Sequence, residues 1–268
     1  MPPETHVATT SEAATLAVDG PVATLTLNRP GSYNALNPDM ARSLRAHAAA
    51  VEARAELRVM LIRGAGPGFC GGGDIGAFSA QGDNLAPFLA AMLEDVHAFL
   101  EIVGRMPQVV VTAVHGVAAG AGLSIASMGD LCVATEDASF VPSYLKLGVS
   151  PDCGGTVGTV RAAGVRGALE LYLLRDRLTA REAQGIGLVN VVVPAAELDV
   201  ELARTAKRVC GLPQQAVATT KQLIRQASTT PLMEQLEAEG QGLIGCTRTE
   251  DFRRGLTAFL KREPAVSR

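Results

Sequence analysis

The chain has 268 residues, 47% of them hydrophobic, and a formal net charge of −3 at pH 7. This length can bury a sizeable core, and the small negative charge argues against a nucleic-acid partner, which would require a basic face. No apolar run reaches the roughly 18 residues of a membrane helix, so no membrane span is predicted. The five cysteines show neither a CxxC pair nor a zinc-ligand spacing, so we expect reduced thiols, no metal site and a cytoplasmic location.

Strands and helices alternate over residues 13–200. The first two strands are predicted to form a hairpin around Asp19-Gly20-Pro21, because Asp-Gly favours tight turns. Asn37 is predicted to cap a helix in which Pro38 is the first residue. The other predicted elements are strands at 57–63, 109–114 and 131–135 and helices at 85–103 and 123–127. This alternation predicts an α/β fold with parallel strands.

The pattern changes near residue 200, after which three helical segments and no strand are predicted. These helices fall at 213–225, 231–243 and 250–262. Residues 1–12 lack the basic start and apolar centre of a signal peptide and are predicted to be a disordered tail. We therefore predict a tail (1–12), an α/β core (13–200) and a helical C-terminal region (201–268).

Two glycine-rich stretches indicate chemistry. Residues 116–122 follow an apolar strand and are predicted to form a turn of small residues, which lets backbone amides approach a ligand closely. Residues 147–156 carry one carboxylate, Asp152, between Pro151 and a pair of glycines. Backbone amides beside one placed acid can polarise a carbonyl group and move a proton next to it.

Four motifs, in this order and spacing, resemble the crotonase (enoyl-CoA hydratase/isomerase) superfamily. They lie at residues 28–30 with 34–37, 68–75, 113–122, and 178–183 with 187–189. The resemblance implies a crotonase spiral fold of repeated ββα units with a helical C-terminal trimerisation region, and hence a homotrimer or a dimer of trimers. It also implies an acyl-CoA thioester substrate and no cofactor, since coenzyme A is part of the substrate.

The resemblance assigns roles to individual residues. The amides of Gly73 and Ala121 are expected to form an oxyanion hole, because fixed N–H dipoles stabilise the negative charge of an enolate. Arg29 and Lys261 match positions near the CoA phosphates, and Asp74 is expected to order the oxyanion loop. The full set of implied substrate-binding residues is Arg29, Gly71, Asp74, Ile75, His97, Ser124, Tyr144, Phe259 and Lys261.

The chain departs from the hydratases of this family at two positions. Those enzymes hold and activate water with two glutamates, where this chain has Ser124 and Tyr144. Neither hydroxyl readily replaces a carboxylate base, so efficient hydration is not expected. Asp152 lies in a segment that resembles enoyl-CoA isomerases of the ring-epoxide phenylacetyl-CoA type, where the matching Asp shuttles a proton between carbons. We therefore predict an enoyl-CoA isomerase with Asp152 as the shuttle.

Three alternatives stay open. Family members that hydrolyse 4-chlorobenzoyl-CoA carry a nucleophilic Asp at the Asp152 position, an aromatic residue at the Tyr144 position and a His at the His97 position. Asp152 could therefore be the nucleophile of an acyl-CoA hydrolase. The loss of both glutamates is also compatible with a CoA-binding protein of weak or no catalysis, and Asp152 could simply cap the helix that follows.

Overall fold

The computed structural model of the chain describes residues 12–261. The predicted tail therefore lies outside the described residues except for Glu12, as does the chain after Lys261. The strands are β1 (Ala14–Asp19), β2 (Val22–Leu27), β3 (Val59–Gly64), β4 (Val109–Val114), β5 (Val117–Ala119), β6 (Leu131–Thr135), β7 (Ser139–Val141), β8 (Leu178–Thr179) and β9 (Val191–Val193). The α-helices are α1 (Pro38–Glu52), α2 (Ile75–Ser79), α3 (Leu85–Arg105), α4 (Ala121–Met128), α5 (Gly155–Leu174), α6 (Ala180–Gly185), α7 (Leu198–Cys210), α8 (Gln214–Gln226), α9 (Leu232–Thr247) and α10 (Glu250–Lys261).

The strands form two sheets. The larger has the order β1-β2-β3-β4-β6-β9 and is parallel except for β1 and β2, which form the predicted hairpin with Asp19 opposite Val22. In the smaller sheet β5 and β7 are parallel and β8 is antiparallel to β7. Parallel neighbours require crossover connections, so this topology confirms the α/β architecture that the alternating pattern predicts.

Helix α1 begins where the sequence predicts. Asn37 Oδ1 accepts a hydrogen bond from Met40 N at 2.9 Å, which satisfies one of the amides that the helix leaves free. Pro38 is the first helical residue, where a missing N–H costs no helical hydrogen bond. The helix packs against α3, and together they cover one face of the larger sheet.

Strand β4 is buried along its whole length, so both faces of the sheet are covered there. Val110 and Val114 point into the core shared with α1 and α3. Val109 and Val111 point the other way and join a second core with Leu202 of α7. Because successive side chains of a strand alternate between faces, an unbroken apolar run is typical of a strand buried on both sides.

Helix α7 spans the predicted boundary at residue 200. Its side chains Leu198, Leu202 and Ala206 pack against the larger sheet. The change of sequence pattern near residue 200 therefore marks an amphipathic helix that packs on the larger sheet. The helices that follow it begin at Gln214.

Residues 117–119 form strand β5, where the sequence predicts a turn of small residues. Its partners are β7 on one side and Cys70 on the other, through a parallel bridge to Ala118. A strand this short has too few residues to show an alternating pattern, and its partners are distant in the chain. The expectation of a turn at these three residues was wrong for that reason.

A buried ion cluster fastens α8 to the sheet. Asp130, at the start of β6, lies 2.7 Å from Lys221 Nζ and 2.7 Å from Arg225 Nη2. Asp130 Oδ2 also accepts a hydrogen bond from Val110 N at 2.8 Å. The Lys221, Asp130 and Arg225 side chains are only 8%, 14% and 16% exposed.

Among the helices of residues 12–261, none has the length and apolar character needed to cross a membrane.

We predict that Asp130→Ala destabilises the fold by about 3–5 kcal/mol, because it leaves two buried cations without their anion. Urea unfolding followed by circular dichroism measures this change. The matched control is Asp176→Ala, which removes the anion of an exposed pair with Lys146 and should barely move the midpoint. Equal midpoints for the two variants would show that the cluster adds no specific stability.

Candidate active site

The segment after β3 runs alongside β5 and brings two glycine-rich turns together. Cys70 N donates to Val117 O at 3.0 Å, and Ala119 N donates to Cys70 O at 2.9 Å. Cys70 and Ala118 are partners in a parallel bridge, and Gly73 and Ala121 each lie three residues further along their segments. The parallel register therefore places the two predicted oxyanion donors at the same end of the pairing.

The amides of Gly73 and Ala121 are left free by the surrounding hydrogen bonds. Leu36 N donates to Gly72 O at 2.7 Å and Asp74 N donates to Leu36 O at 2.9 Å, so this bridge skips the Gly73 amide. Ala121 is the first residue of α4, whose first amides have no acceptor within the helix. Within the described residues neither amide has an acceptor, so both can bind a carbonyl oxygen.

Two glycines permit the close approach of these backbones. Gly72 has φ +101°, and a Cβ there would lie 2.9 Å from Ala119 O. A Cβ on Gly122 would lie 2.2 Å from Cys70 O. Both distances are shorter than van der Waals contact allows, so any side chain at either position would push the two turns apart.

The loop that carries Gly73 is held by Arg29 and Asp74. Arg29 Nη2 lies 2.9 Å from Asp74 Oδ2, and Nη1 donates to Ala35 O at 2.5 Å. Asp74 Oδ1 accepts from Ala77 N at 3.1 Å and caps α2. Burial acts to raise the pKa of Asp74, but the hydrogen bonds from Ala77 and Arg29 outweigh it and hold that pKa below its usual value. The guanidinium of Arg29 is thus engaged with the loop.

Asn34 supports the same loop and was not given a role from the sequence. It is fully buried and has φ +56°. Its side-chain amide donates to the carbonyl oxygens of Ala65, Gly68 and Phe69 at 2.8, 2.9 and 3.1 Å. The two hydrogens of this amide are thus shared among three carbonyl groups of the loop, which ties the loop to Asn34.

A cleft of about 440 Å³ opens beside this loop. Four of the predicted site residues line it: Gly71, Gly73, Asp74 and Ile75. The structure thus brings these four together on one side of the two glycine-rich turns. The remaining lining residues are Ser32, Tyr33, Ala35, Val117 and Ala119.

Ser124, Tyr144 and Asp152 form a hydrogen-bonded chain. Tyr144 Oη lies 2.6 Å from Asp152 Oδ1 and 2.7 Å from Ser124 Oγ. The Ser124 and Tyr144 side chains are buried. Burial first, and then the charge of Asp152, raise the pKa of Tyr144, so this hydroxyl stays protonated. An ionised carboxylate can only accept, so Tyr144 donates to Asp152.

The hydroxyl chain adjoins the two glycine-rich turns. Ser124 and Ala121 lie within one turn of each other on α4. A Cβ on Gly120 would lie 4.0 Å from Tyr144 Cζ, so the tyrosine ring flanks the turn that carries the Ala121 amide. A carboxylate and two free amides are therefore held by neighbouring elements.

Three predicted site residues are not joined to this group. His97 lies on the exposed face of α3 and makes no hydrogen bond or ion pair within the described residues. Phe259 is 81% exposed on α10, and Lys261 is exposed at its end.

Across residues 12–261, no three His, Cys, Asp or Glu side chains are arranged to hold a metal ion.

Two neighbours of Asp152 were not singled out from the sequence. Cys153 is buried and has φ +50°, and burial, followed by the charge of Asp152, raises the pKa of its thiol. The Tyr172 ring lies 6.4 Å from the Tyr144 ring at 57°. Tyr172 belongs to α5, and only the packing of that helix brings it to the site, so no local sequence pattern could have marked it.

The chain is similar to known proteins over nearly its whole length. Residues 18–266 match the family model described as enoyl-CoA hydratase/isomerase. The chain is 38% identical over 251 residues to the 1,2-epoxyphenylacetyl-CoA isomerase of Escherichia coli strain K12, which covers 92% of this chain and 95% of that protein. It is 35% identical over 245 residues to a Rhodobacter capsulatus protein described as a "probable enoyl-CoA hydratase", with 91% and 93% covered.

A solved structure shows the same similarity in three dimensions. The crystal structure of an enoyl-CoA hydratase from Polaromonas sp. JS666 superposes with a TM-score of 0.89 at 31% identity, covering 95% of this chain and 98% of that one. The relatives carry both isomerase and hydratase names, so similarity alone does not choose between these reactions.

We predict that Gly72→Ala removes the polarisation of a bound thioester carbonyl, because the added Cβ pushes the Gly73 amide away from Ala121. Raman difference spectra of a bound enoyl-CoA should show a lowered carbonyl stretch in the unsubstituted protein and a loss of that shift in the variant. Turnover should fall by about two to three powers of ten, as for loss of one oxyanion donor.

The matched control for this substitution is Gly82→Ala. Gly82 also has a positive φ, +52°, but a Cβ there would meet nothing within 4 Å. The control therefore carries similar backbone strain without the clash and should keep both the carbonyl shift and the turnover. An unshifted carbonyl in the unsubstituted protein would mean that the two amides do not form an oxyanion hole.

Proposed function

Because the chain belongs to the enoyl-CoA hydratase/isomerase family and has its crotonase fold, we propose that it isomerises the carbon–carbon double bond of an enoyl-CoA. The observation that carries this proposal is the chain of Ser124, Tyr144 and Asp152. It offers one carboxylate and two neutral hydroxyls. A single carboxylate is sufficient to remove a proton from one carbon and return it to another.

The proposed reaction needs only groups that the chain supplies. The Asp152 carboxylate takes a proton from a carbon of the acyl chain, and the electron pair of that C–H bond moves into the conjugated thioester. The negative charge that develops on the carbonyl oxygen is stabilised by the Gly73 and Ala121 amides. The Asp152 carboxyl group then gives the proton to a different carbon, so the double bond has moved and no atom is gained or lost.

Hydration would require a second set of groups to hold and activate water. At the two positions concerned, Ser124 and Tyr144 are hydrogen-bonded to each other, and Tyr144 is committed to Asp152. The raised pKa of Tyr144 opposes its use as a base. The geometry therefore favours proton transfer by Asp152 over addition of water.

A nucleophilic role for Asp152 has less support. His97, the matching histidine, makes no hydrogen bond within residues 12–261. Hydrolysis, and a protein that binds CoA without turnover, are kept as outcomes of the experiment below.

We predict that Asp152→Asn lowers the isomerisation rate by about two to four powers of ten, the usual contribution of a general acid–base group. Substrate affinity should change little, because the amides and the cleft remain. The measurement is deuterium incorporation into recovered thioesters from an enoyl-CoA panel in heavy water, followed by mass spectrometry. Asp137→Asn, an exposed carboxylate exchanged for the same amide, is the matched control and should keep full activity.

The other outcomes identify other functions. Full isomerisation by the Asp152→Asn variant would rule out the shuttle. Free acid as the product, with oxygen-18 from labelled water found in Asp152 after turnover, would indicate a nucleophile. Rapid loss of the conjugated absorbance of crotonyl-CoA, above roughly ten per second, would indicate a hydratase. CoA affinity without any turnover would indicate a binding protein.

We also propose that copies of the chain associate through the C-terminal helices into a homotrimer or a dimer of trimers. The support is apolar surface on α9 and α10: Met233 is 74% exposed and Phe259 81%, and Leu232, Leu243 and Leu260 are exposed as well. Solvated apolar surface on this scale is typical of an interface. Phe259 and Lys261 would then complete the substrate site from a neighbouring copy. The cytoplasmic location stays a prediction.

We predict that sedimentation velocity at micromolar concentration shows an oligomer. The double substitution Met233→Glu and Leu243→Glu should convert it to monomer, because each places a charge on the apolar surface. The control is Val18→Glu, which changes an exposed apolar residue of the edge strand β1, distant from these helices. A monomer with full activity would contradict both the association and the completion of the site by a neighbour.

A further inference from the structure

We propose that Tyr172 is a positioning residue that extends the hydroxyl chain to four members, so that Tyr172, Ser124 and Tyr144 together hold Asp152 in its ionised form. This inference rests on the proposed role of Asp152 as the proton shuttle. It adds a residue from α5 that does not line the cleft, and it assigns that residue a measurable effect on the shuttle.

The Tyr172 hydroxyl is a buried polar group without a hydrogen bond. Buried hydroxyls are nearly always hydrogen-bonded, because loss of water without a replacement partner is costly. Burial raises the pKa of Tyr172, and the Thr159 and Ser124 hydroxyls lie close enough to act against that rise. Thr159 Oγ1 donates its hydrogen to Gly155 O at 2.6 Å, so Thr159, like Ser124, can offer Tyr172 only a lone pair.

The backbone of Gly155 locates Tyr172 beside Ser124. A Cβ on Gly155 would lie 2.7 Å from Tyr172 Oη and 2.3 Å from Ser124 Oγ. Both hydroxyls therefore face the same point, at the start of α5 and directly after the Asp152 loop. Because the Tyr144 and Tyr172 rings are 6.4 Å apart, Ser124 can be approached by both tyrosines.

The direction of donation follows from the charge on Asp152. An ionised carboxylate only accepts, so Tyr144 donates to it, and Ser124 must donate to Tyr144 Oη. Ser124 Oγ then has used its only hydrogen and keeps free lone pairs. Tyr172 is the donor that can fill one of them, and each donation in such a chain polarises the next toward the carboxylate.

No cation competes with the hydroxyls for this role. The ion pairs formed by residues 12–261 do not include Asp152. The titratable groups that face it are Tyr144 from the preceding loop, Cys153 from its own loop and Tyr172 from α5, and Cys70 faces Cys153. All of these are neutral near pH 7, so they can offer Asp152 hydrogen bonds but no opposite charge.

The test is the titration of the Asp152 carboxyl group by carbon-13 NMR, on full-length protein labelled at aspartate. The Asp152 signal is assigned by its absence in Asp152→Asn. In Tyr172→Phe, which keeps the ring, the midpoint of that titration should rise by about one pH unit, a tenfold change in proton affinity. The acid limb of the kcat profile should move in the same direction, with KM nearly unchanged.

Thr135→Val is the matched control, since it removes another buried hydroxyl without a hydrogen bond, on β6 and outside the chain. It should leave the Asp152 midpoint where it is. Ser124→Ala interrupts the chain and should raise the midpoint whether or not Tyr172→Phe folds. Adding Tyr172→Phe to Ser124→Ala should then raise it no further, because Tyr172 acts through Ser124.

An Asp152 midpoint that Tyr172→Phe leaves unchanged, or moves only as far as Thr135→Val does, would overturn the inference. So would full additivity of the Ser124 and Tyr172 substitutions. The titration needs no substrate, so its result is independent of the reaction. The proposed function fails separately, if Asp152→Asn keeps the deuterium exchange.

Discussion

The candidate active site depends on one constraint: the segment after β3 must pair in parallel with β5. The two backbones are so close that no side chain fits at Gly72 or Gly122. This pairing aligns Cys70 with the middle of β5 and leaves the Gly73 and Ala121 amides without acceptors. Amides without acceptors are unfavourable in a folded protein, so the arrangement has a stability cost that a carbonyl oxygen bound there would offset. Asn34 and the Arg29–Asp74 pair hold the loop in this position.

The hydroxyl chain beside these amides contains a single ionisable carboxylate. Asp152 is the only carboxylate of the hydroxyl chain, and neutral hydroxyls surround it where hydratases of this family have glutamates. A lone carboxylate can receive and return one proton. Hydration needs a second acid or base, because one group takes a proton from water while another gives a proton to the acyl chain. The difference between the two reactions thus follows from which groups can ionise, on a backbone framework that both share.

Sequence patterns predicted the hairpin, the Asn37 cap of α1 and the buried strand β4 because each depends on residues close in the chain. The motifs also identified the crotonase superfamily, which similarity over residues 18–266 confirms. Sequence could not predict β5, whose three residues are too few for a periodic pattern, or that α7 packs on the sheet across residue 200. The Asp130 cluster joins β6 to a helix far along the chain, and no local pattern marks such a pair.

By itself, the sequence determined the types of group available: glycine turns for close backbone approach, one aspartate in a Pro-Asp-Cys-Gly-Gly loop, and hydroxyls in place of two glutamates. It could not determine which groups touch. Only the tertiary structure decided that Tyr144 donates to Asp152, that Arg29 is engaged with Asp74, and that Tyr172 lies beside Ser124. The reason is physical: hydrogen bonds act over about 3 Å, and the packing of helices and sheets sets distances between residues that are remote in sequence.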